Sequence, residues 1–222
     1  MARSGLSVVI PVLNDAAPLR RLIEDLRDTE FEIVVVDGGS DDDSVSVASG
    51  AGRVVSGPRG RGMQMAAGIP VANGEWLWFM HADTRLSPQV VAALVDRLDK
   101  PSWGFFSVRL DGASWPYRII ERTMSWRAAV SGIATGDQGI FVHRELLDAV
   151  GGVPSQPLLE DVELCRRLRR LAKPVVLREP LLASSRRWER DGIVRTILVM
   201  WWLRFRYFAG ADPNSLSREY YG

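Results

Sequence analysis

Two carboxylates in the first half of the sequence come directly after apolar runs. Asp83 follows the aromatic-rich segment 76–80, and Asp37 follows the β-branched segment 31–36. Such runs are typical of strands buried on both faces of a parallel sheet, and ligands of these sheets bind beyond the carboxyl ends of the strands. An acidic side chain there can hold a divalent cation and, through it, a phosphate. The alternative is that Asp83 only caps the helix that begins near Ser87.

A basic, glycine-rich segment precedes the helical pattern at 63–69. Its residues are Ser56, Gly57, Pro58, Arg59, Gly60, Arg61 and Gly62. Arginine side chains next to the free amides of a helix start can bind an anion. The spacing matches neither a Walker loop nor a dinucleotide fingerprint, so a flexible surface loop is the alternative interpretation.

A third acidic group, Glu160 and Asp161, falls at the start of a helix with apolar positions from Val162 to Leu171. The exposed amides and the helix dipole stabilise charged carboxylates in a first turn. This arrangement can position a catalytic carboxylate, but acidic first-turn residues are also common for structural reasons alone.

Strand and helix patterns alternate through the first hundred residues. Strands are expected at 6–10, 31–36, 54–55 and 76–80, and helices at 18–26, 63–69 and 88–98. This alternation predicts an α/β fold with a mostly parallel, doubly wound sheet and helices on both faces. Each polar cluster follows a strand, so we expect the clusters to converge on one edge of the sheet.

The second half continues after a change of composition near Lys100 and Pro101. Strands are expected at 103–110, 139–142 and 174–177, and helices at 117–130 and from 158 onward. We expect one continuous sheet rather than two independent domains. The first half has the pattern of a nucleotide-binding unit, and the second half would shape the site of a second ligand.

Composition excludes several classes of protein. The 222 residues include 28 Lys and Arg against 27 Asp and Glu, a net charge of +1, so nothing favours a nucleic-acid partner. Cys165 is the single cysteine, which excludes an intramolecular disulfide and a thiolate metal cluster and favours a reducing, cytoplasmic setting. The N-terminal apolar stretch 6–10 is too short for an export signal, and no apolar run is long enough to span a membrane.

The segment 193–208 is aromatic and edged with arginines. It contains Arg195, Trp201, Trp202, Arg204, Phe205, Arg206, Tyr207 and Phe208. An amphipathic helix of this composition can lie in a membrane interface, which would place the protein peripherally at the inner face of the membrane. Packing against the sheet, or against a second copy in a homodimer, is the alternative.

The ordered motifs of the chain resemble the family-two glycosyltransferases of the GT-A fold. The motifs are Val8 to Asp15, Val34 to Ser40, Phe79 to Asp83, Gly136 to Gly139, and Glu160 with Asp161. The similarity runs to about Trp188. The Gly-Asp-Gln-Gly segment and the short chain are similar to a bacterial branch labelled arsenosugar-biosynthesis glycosyltransferase. The resemblance implies a GT-A-like domain at 1–190, with a nucleotide-binding half at 1–100 and an acceptor half at 101–190, followed by an aromatic amphipathic helix and tail at 191–222.

The resemblance assigns the nucleotide site to the first half. It implies that Pro11, Val12 and Asn14 line the base and that Asp37 accepts a hydrogen bond from it. Asp15 matches the acidic residue that the family has at that place.

The resemblance also assigns the diphosphate and its metal ion. It implies that Arg61 approaches the base or diphosphate and that Asp83 holds a divalent cation, Mn²⁺ or Mg²⁺, between the two phosphates. His81 stands where the family commonly has aspartate. Imidazole suits manganese better than magnesium, and a neutral His81 could instead hydrogen-bond a phosphate or a ribose hydroxyl.

Further matches concern the reacting groups. Asp161 matches the general base of the family, with Glu160 beside it. The segment Gly136, Asp137 and Gln138 would face the sugar or the acceptor. The pair Arg187 and Trp188 resembles the arginine and tryptophan that close over the diphosphate in processive members, but Ser184 replaces the glutamine of those members, which argues against processive polymerisation.

The function that the resemblance implies is an inverting transfer of a sugar from a nucleoside-diphosphate sugar to an acceptor hydroxyl, in a metal-assisted single displacement. The acceptor itself is not indicated. A nucleotidyltransferase would carry a basic, glycine-rich loop straight after the first strand, where this sequence has Pro-Val-Leu-Asn-Asp. Two rival functions stay open, a non-catalytic nucleotide-sugar binding module and a transferase at a membrane surface with a lipid-linked acceptor.

Overall fold

The computed structural model describes residues 5–221 of the chain and, of Tyr221, the backbone only. The first four residues, on which the prediction about an export signal partly rests, lie outside this range. The strands are β1 (Leu6–Val12), β2 (Glu32–Asp37), β3 (Arg53–Ser56), β4 (Trp76–Phe79), β5 (Trp103–Leu110), β6 (Phe141–His143) and β7 (Val175–Ala183). The helices are α1 (Ala16–Leu26), α2 (Ser44–Ser49), α3 (Arg61–Gly68), α4 (Pro88–Val95), α5 (Trp115–Ser131), α6 (Arg144–Ala149), α7 (Glu160–Leu168), α8 (Arg186–Asp191), α9 (Ile193–Phe208) and α10 (Pro213–Tyr221).

All seven strands form one sheet in the order β3-β2-β1-β4-β6-β5-β7. Neighbouring strands are parallel except β6, which runs antiparallel to both β4 and β5. The predicted α/β fold with a continuous, mostly parallel sheet is therefore confirmed. In the register of β1 and β2, Val12 lies opposite Asp37, so both strands end at the same edge.

Both faces of the sheet are buried, which explains the uninterrupted apolar runs. Val8 and Ile10 pack into a core with α1, α2 and α4, whereas Val9 between them packs into a second core with α3, α5, α6 and α7. This alternation within one strand shows that helices cover both faces of the sheet, as the sequence predicts.

The buried acid Glu163 holds the C-terminal helix α9 against α7. Glu163 of α7, whose side chain is 6% exposed, accepts hydrogen bonds from Arg166 Nε at 2.7 Å, Arg167 Nε at 2.9 Å and the Tyr207 hydroxyl at 2.7 Å. Burial alone would raise the pKa of Glu163, but these donors lower it to about 2. Because Tyr207 belongs to α9, this cluster fixes α9 on α7.

Several predicted element bounds differ from the structure by a few residues, and two of the differences have a clear local cause. The last strand extends to Ala183 rather than ending at Leu177, with a register shift against β5 between Phe106 and Ser107 that accommodates Pro180. The predicted strand 139–142 begins only at Phe141, because Gly139 has a φ of +53° and closes the turn before it.

Candidate active site

A cavity of about 1300 Å³ lies beyond the carboxyl ends of β1 and β4 and under α5 and α9. It brings together most of the residues predicted for the site. These are Pro11, Val12, Asp15, Arg61, His81, Asp83, Gly136, Asp137, Asp161, Arg187 and Trp188. The polar segments that follow separate strands therefore do converge, as the topology of the sheet requires.

Asn14 and Asp37 are not among the lining residues. The exposed Asn14 has a φ of +52°, and its Oδ1 accepts a hydrogen bond from the Asp41 amide at 2.7 Å. The buried Asp37 carboxylate accepts hydrogen bonds from the amides of Gly39 at 3.0 Å and Ser40 at 3.2 Å. The Asn14 side chain joins the loops after β1 and β2, and the Asp37 carboxylate closes the turn after β2. The contact of either residue with a nucleotide base stays a prediction.

Gln64 of α3 secures the same edge, although no pattern in the sequence singles it out. Its Nε2 donates to the carbonyl oxygens of Val12 and Val36, both at 2.8 Å. The buried amide thus joins the carboxyl ends of β1 and β2 at the wall of the cavity.

The His81 ring lies between an acidic side chain and a basic side chain. Its Nδ1 lies 3.1 Å from Asp137 Oδ1, and its Nε2 lies 3.3 Å from Arg61 Nη1. In this arrangement Nδ1 is placed to donate to the Asp137 carboxylate. The ring rests against Gly136, where an added Cβ would lie only 2.2 Å from Nε2. Only glycine allows this close approach at position 136.

Asp137 faces the cavity as a carboxylate. Burial opposes its ionisation, but the His81 hydrogen bond and the charges of His81, Arg61 and Arg187 lower the pKa of Asp137 to about 2. This side chain therefore contributes a fixed negative charge near the predicted sugar position.

Asp83 and Asp15 converge on a single cationic group, the guanidinium of Arg186. Arg186 Nη2 lies 3.1 Å from Asp83 Oδ2, and Nη1 lies 3.1 Å from Asp15 Oδ1. The hydrogen bond to Asp15 and then the one to Asp83 raise the pKa of Arg186. Two convergent carboxylates suit a hard divalent cation, and in this structure both contact the Arg186 guanidinium.

The protein donors near Asp83 fit a metal ion that the substrate also coordinates. Within residues 5–221, no group of three or more His, Cys, Asp or Glu side chains is placed to hold a metal ion alone. Both ring nitrogens of His81 are engaged, so ligation by His81 would require one of its contacts to break. Asp83 is thus the candidate ligand that the geometry favours, with donor phosphates completing the shell.

Asp161 faces the cavity from the N-terminus of α7. Its Oδ2 accepts a hydrogen bond from the Gly136 amide at 2.7 Å, and its Oδ1 accepts one from the Val162 amide at 2.7 Å. The neighbouring Glu160 is buried and does not line the cavity. Burial, reinforced by the Asp161 charge, raises the pKa of Glu160. Asp161, and not Glu160, is therefore the carboxylate available to a ligand.

The prediction that Gln138 faces the sugar or the acceptor is wrong. Its side chain is fully buried, with Nε2 donating to the Phe106 carbonyl at 3.0 Å and Oε1 accepting from the Thr135 amide at 3.2 Å. The bond to Thr135 belongs to the capping box that begins at that residue. Gln138 shapes the turn that presents Gly136 and Asp137.

The C-terminal elements complete the cavity wall. Arg187 and Trp188 of α8 line it, and the Arg187 guanidinium lies 4.7 Å from the centre of the Tyr220 ring. Three further arginines at the site are ones to which the sequence motifs assign no role. They are Arg127 of α5 and Arg204 of α9, which line the wall, and Arg186. Two features of the sequence point to these residues. Arg186 directly precedes the Arg187-Trp188 pair, and Arg204 lies within the aromatic segment 193–208.

Comparison with known proteins identifies relatives of this chain. The family model "Glycosyl transferase family 2" matches residues 7–142. An uncharacterized glycosyltransferase of Mycobacterium tuberculosis is 32% identical over 190 residues, which cover 78% of this chain and 72% of the relative.

Solved structures show the same fold. A mannosyltransferase from Pyrobaculum calidifontis in complex with GDP-Man and Mn²⁺ matches with a TM-score of 0.62 and 19% identity, over 83% of this chain and 57% of that one. Glucosyl-3-phosphoglycerate synthase from Mycobacterium tuberculosis, in complex with Mn²⁺, UDP and glucosyl-3-phosphoglycerate, matches with a TM-score of 0.59 and 22% identity, over 80% of this chain and 71% of that one. The likeness confirms the GT-A-like fold.

Proposed function

The chain belongs to glycosyl transferase family 2, and from that premise we propose that it transfers a sugar from a nucleoside-diphosphate sugar to an acceptor hydroxyl with inversion at the anomeric carbon. The observation that carries the proposal is the convergence of Asp83, Arg61 and Asp161 on one cavity. The donor of the related mannosyltransferase structure is GDP-Man, and Mn²⁺ accompanies it there. The arsenosugar branch and a cytoplasmic location stay predictions from the sequence.

The leaving diphosphate would lie between Asp83 and the basic residues of the opposite wall. A divalent cation bound at Asp83 would neutralise the charge that develops on the diphosphate as the sugar leaves. Arg61 and Arg187 line the same cavity and can donate charge-assisted hydrogen bonds to phosphate oxygens. Arg186 contacts Asp83 Oδ2, so a cation that binds this oxygen would compete with Arg186 for it.

Asp161 would act as the general base toward the acceptor. The acceptor oxygen forms a bond to the anomeric carbon while the bond from that carbon to the diphosphate breaks, and the hydroxyl proton passes to the Asp161 carboxylate. The Gly136 hydrogen bond at 2.7 Å fixes the carboxylate for this role. One base and one displacement invert the anomeric configuration.

The experiment that tests this function begins with a thermal-stability screen of nucleoside diphosphates with Mn²⁺ or Mg²⁺. The best combination then defines the donors for a turnover assay that measures nucleoside diphosphate release. We expect thermal stabilisation and turnover that both depend on the metal. In Asp83→Asn, the metal affinity that the stabilisation reports and the turnover rate should each fall by roughly tenfold or more. The matched control is Asp28→Asn, an exposed aspartate that does not line the cavity. Binding without turnover would favour the non-catalytic module, and undiminished metal dependence in Asp83→Asn would move the metal site elsewhere.

A second candidate, transfer to a lipid-linked acceptor at a membrane surface, is favoured by the apolar surface next to the cavity. The helix α5 exposes Trp115 and Trp126, 74% and 69% accessible, and α9 exposes Trp201 and Phe205, 68% and 66% accessible. Trp126 and Trp201 also line the cavity, so this surface continues into the site. Within the described chain, no helix combines the length and the apolarity needed to cross a bilayer. The proposed contact is therefore interfacial.

Charge supports a membrane over a second copy of the chain. The exposed surfaces of α5 and α9 carry Arg122 and Arg195, whereas Glu121, the one acidic residue in either helix, is buried. A basic, tryptophan-rich face suits anionic lipids.

Flotation with vesicles of phosphatidylcholine and phosphatidylglycerol tests the membrane contact. We expect binding that falls several-fold in the double variant Trp202→Ser, Phe205→Ser. The control is Val45→Ser, an exposed apolar residue on α2. Absence of flotation would remove this candidate, and a dimer that the same double variant dissociates would assign the surface to self-association.

A further inference from the structure

Two half-buried arginines of the cavity wall each have a buried donor atom that no acceptor in the described residues uses. Arg127 of α5 donates from Nη1 to the Ile133 carbonyl at 3.0 Å, but its Nη2 is buried and has no hydrogen-bond partner among the described residues. The same holds for Nε of Arg204 in α9. Buried guanidinium donors without acceptors are costly, so such groups are rarely left unpaired without a reason.

The two arginines carry like charges that repel each other. Burial, and then the nearby Arg204 charge, lower the pKa of Arg127 to about 10. Burial likewise lowers the pKa of Arg204, while Asp161 acts in the opposite direction on both. No ion pair within 4.0 Å joins either arginine to a carboxylate in residues 5–221. A pair of desolvated like charges beside one carboxylate destabilises the fold and is typical of a functional site.

We propose that Arg127 and Arg204 form a subsite for an acidic group on the acceptor, a phosphate or a carboxylate. The inference rests on the proposed transferase function, and it names the acceptor class. An anionic group with two or more oxygens can accept hydrogen bonds from the unpartnered donors of both arginines and neutralise their repulsion. Binding there would hold the acceptor hydroxyl next to Asp161.

Position separates this subsite from the donor diphosphate. Of the candidate diphosphate ligands, Asp83 follows β4, Arg61 opens α3 and Arg187 lies in α8, whereas Arg127 and Arg204 come from α5 and α9. The charge of Asp161 raises the pKa of both arginines, and that of Asp137 raises the pKa of Arg204. The two arginines therefore belong to the side of the cavity where the base lies.

The acidic group could come from two sources with the same chemistry. A soluble acceptor would bring a free phosphate or carboxylate, and an amphiphilic acceptor would bring the phosphate of a lipid. The apolar side chains of Trp126, Met200 and Trp201 line the same wall and could contact an alkyl chain. Inorganic phosphate and n-dodecyl phosphate are probes that separate these sources.

The experiment measures thermal stabilisation by each probe, with the donor site already saturated by the best nucleoside diphosphate and metal. Sodium chloride at equal ionic strength is the reference. We expect saturable stabilisation by phosphate, with affinity at least about tenfold weaker in Arg127→Gln and in Arg204→Gln, since each loses a charge-assisted hydrogen bond. The Arg→Lys variants should retain part of the affinity because they keep the charge.

Matched controls come from the same two helices. Arg122→Gln in α5 and Arg195→Gln in α9 remove exposed arginines that do not line the cavity, and both should bind phosphate as the wild type does. Affinity for dodecyl phosphate at least about tenfold above that for phosphate would identify a lipid source, and equal affinities a soluble one.

Three results would overturn the proposal. The first is unchanged phosphate affinity in Arg127→Gln and in Arg204→Gln. The second is an equal loss of phosphate affinity in the exposed controls. The third is that the two glutamine variants lose affinity for the nucleoside diphosphate and not for phosphate. A failure of the transferase function would be seen separately, as absent donor turnover in a protein that still binds phosphate through Arg127 and Arg204.

Discussion

Replacing Asp161 with asparagine removes the proposed base with little change of size. The carboxylate accepts one hydrogen bond through each oxygen, from the amides of Gly136 and Val162, both at 2.7 Å. Asparagine has one oxygen, so its NH₂ group must face one of these amides. We expect a loss of about 1 to 2 kcal/mol in the free energy of unfolding from that mismatch.

The effect on catalysis should be larger than the effect on stability. A positioned general base contributes roughly 10²- to 10⁴-fold, which corresponds to about 3 to 5 kcal/mol of activation free energy. The assay follows nucleoside diphosphate release at saturating donor, with water as the acceptor where no other is known. Calorimetry measures donor affinity in parallel, and we expect it to change less than about threefold because the donor contacts are elsewhere.

Glu160→Gln is the matched control for Asp161→Asn. Glu160 is adjacent in sequence but buried outside the cavity lining, and its pKa is already raised. We expect its turnover to fall by less than about tenfold. Near-native turnover in Asp161→Asn with the donor bound, or an equal loss in both variants, would refute the assignment of the base.

Three other perturbations have definite expected outcomes. Arg186→Gln should strengthen Mn²⁺ binding by roughly two- to fivefold, because it frees Asp83 from an exposed ion pair, as metal titration by calorimetry can measure. Gly136→Ala should abolish most turnover, because the new Cβ would lie 2.2 Å from His81 Nε2 and displace the ring, and donor turnover measures this. Glu163 has a pKa lowered from 4.5 to about 2, so its contribution of about 3 kcal/mol is complete above pH 4.5 and is lost as pH falls toward 2, which urea unfolding at several pH values can follow.

Each of these predictions has its control. Arg190→Gln removes an exposed arginine that pairs with Asp191 and should leave Mn²⁺ affinity unchanged. Gly50→Ala adds a Cβ with ordinary contacts only and should keep turnover. In Glu163→Gln the unfolding free energy should be lower at neutral pH and should vary less between pH 4.5 and 2. Equal Mn²⁺ affinity in Arg186→Gln, normal turnover in Gly136→Ala, or an unchanged acid dependence in Glu163→Gln would contradict the respective prediction.

Apolar periodicity predicted the strands and longer helices because burial determines both. The bounds of β5 agree with the expected 103–110, since both its faces are covered. The sequence does not predict that β6 is antiparallel, because the three residues of this strand do not indicate its direction relative to its neighbours. The sequence pattern does not predict the end of β7, because Arg178, Glu179 and Pro180 interrupt the apolar run.

The arginines of the α5 and α9 wall show another limit of sequence reasoning. A helical pattern indicates which face of one helix is apolar, but both helices expose tryptophans and half-bury an arginine with one buried donor atom. Whether Arg127 and Arg204 point to solvent or to each other depends on how α5 and α9 lie around the cavity. That arrangement is a tertiary property, fixed in part by the bond from Tyr207 to Glu163.

The same local pattern, an apolar strand followed by aspartate, serves two purposes in this chain, and the residues after the aspartate decide which. After Asp37, the amides of Gly39 and Ser40 donate hydrogen bonds to its carboxylate. After Asp83, the Thr84 amide donates to the His81 carbonyl instead, and the carboxylate stays available to a cation from across the cavity. A glycine-rich turn can supply donors to its own aspartate, whereas a turn closed by backbone bonds leaves the side chain to a ligand. This difference makes Asp83, rather than Asp37, the acid of the two that we expect to bind a metal ion.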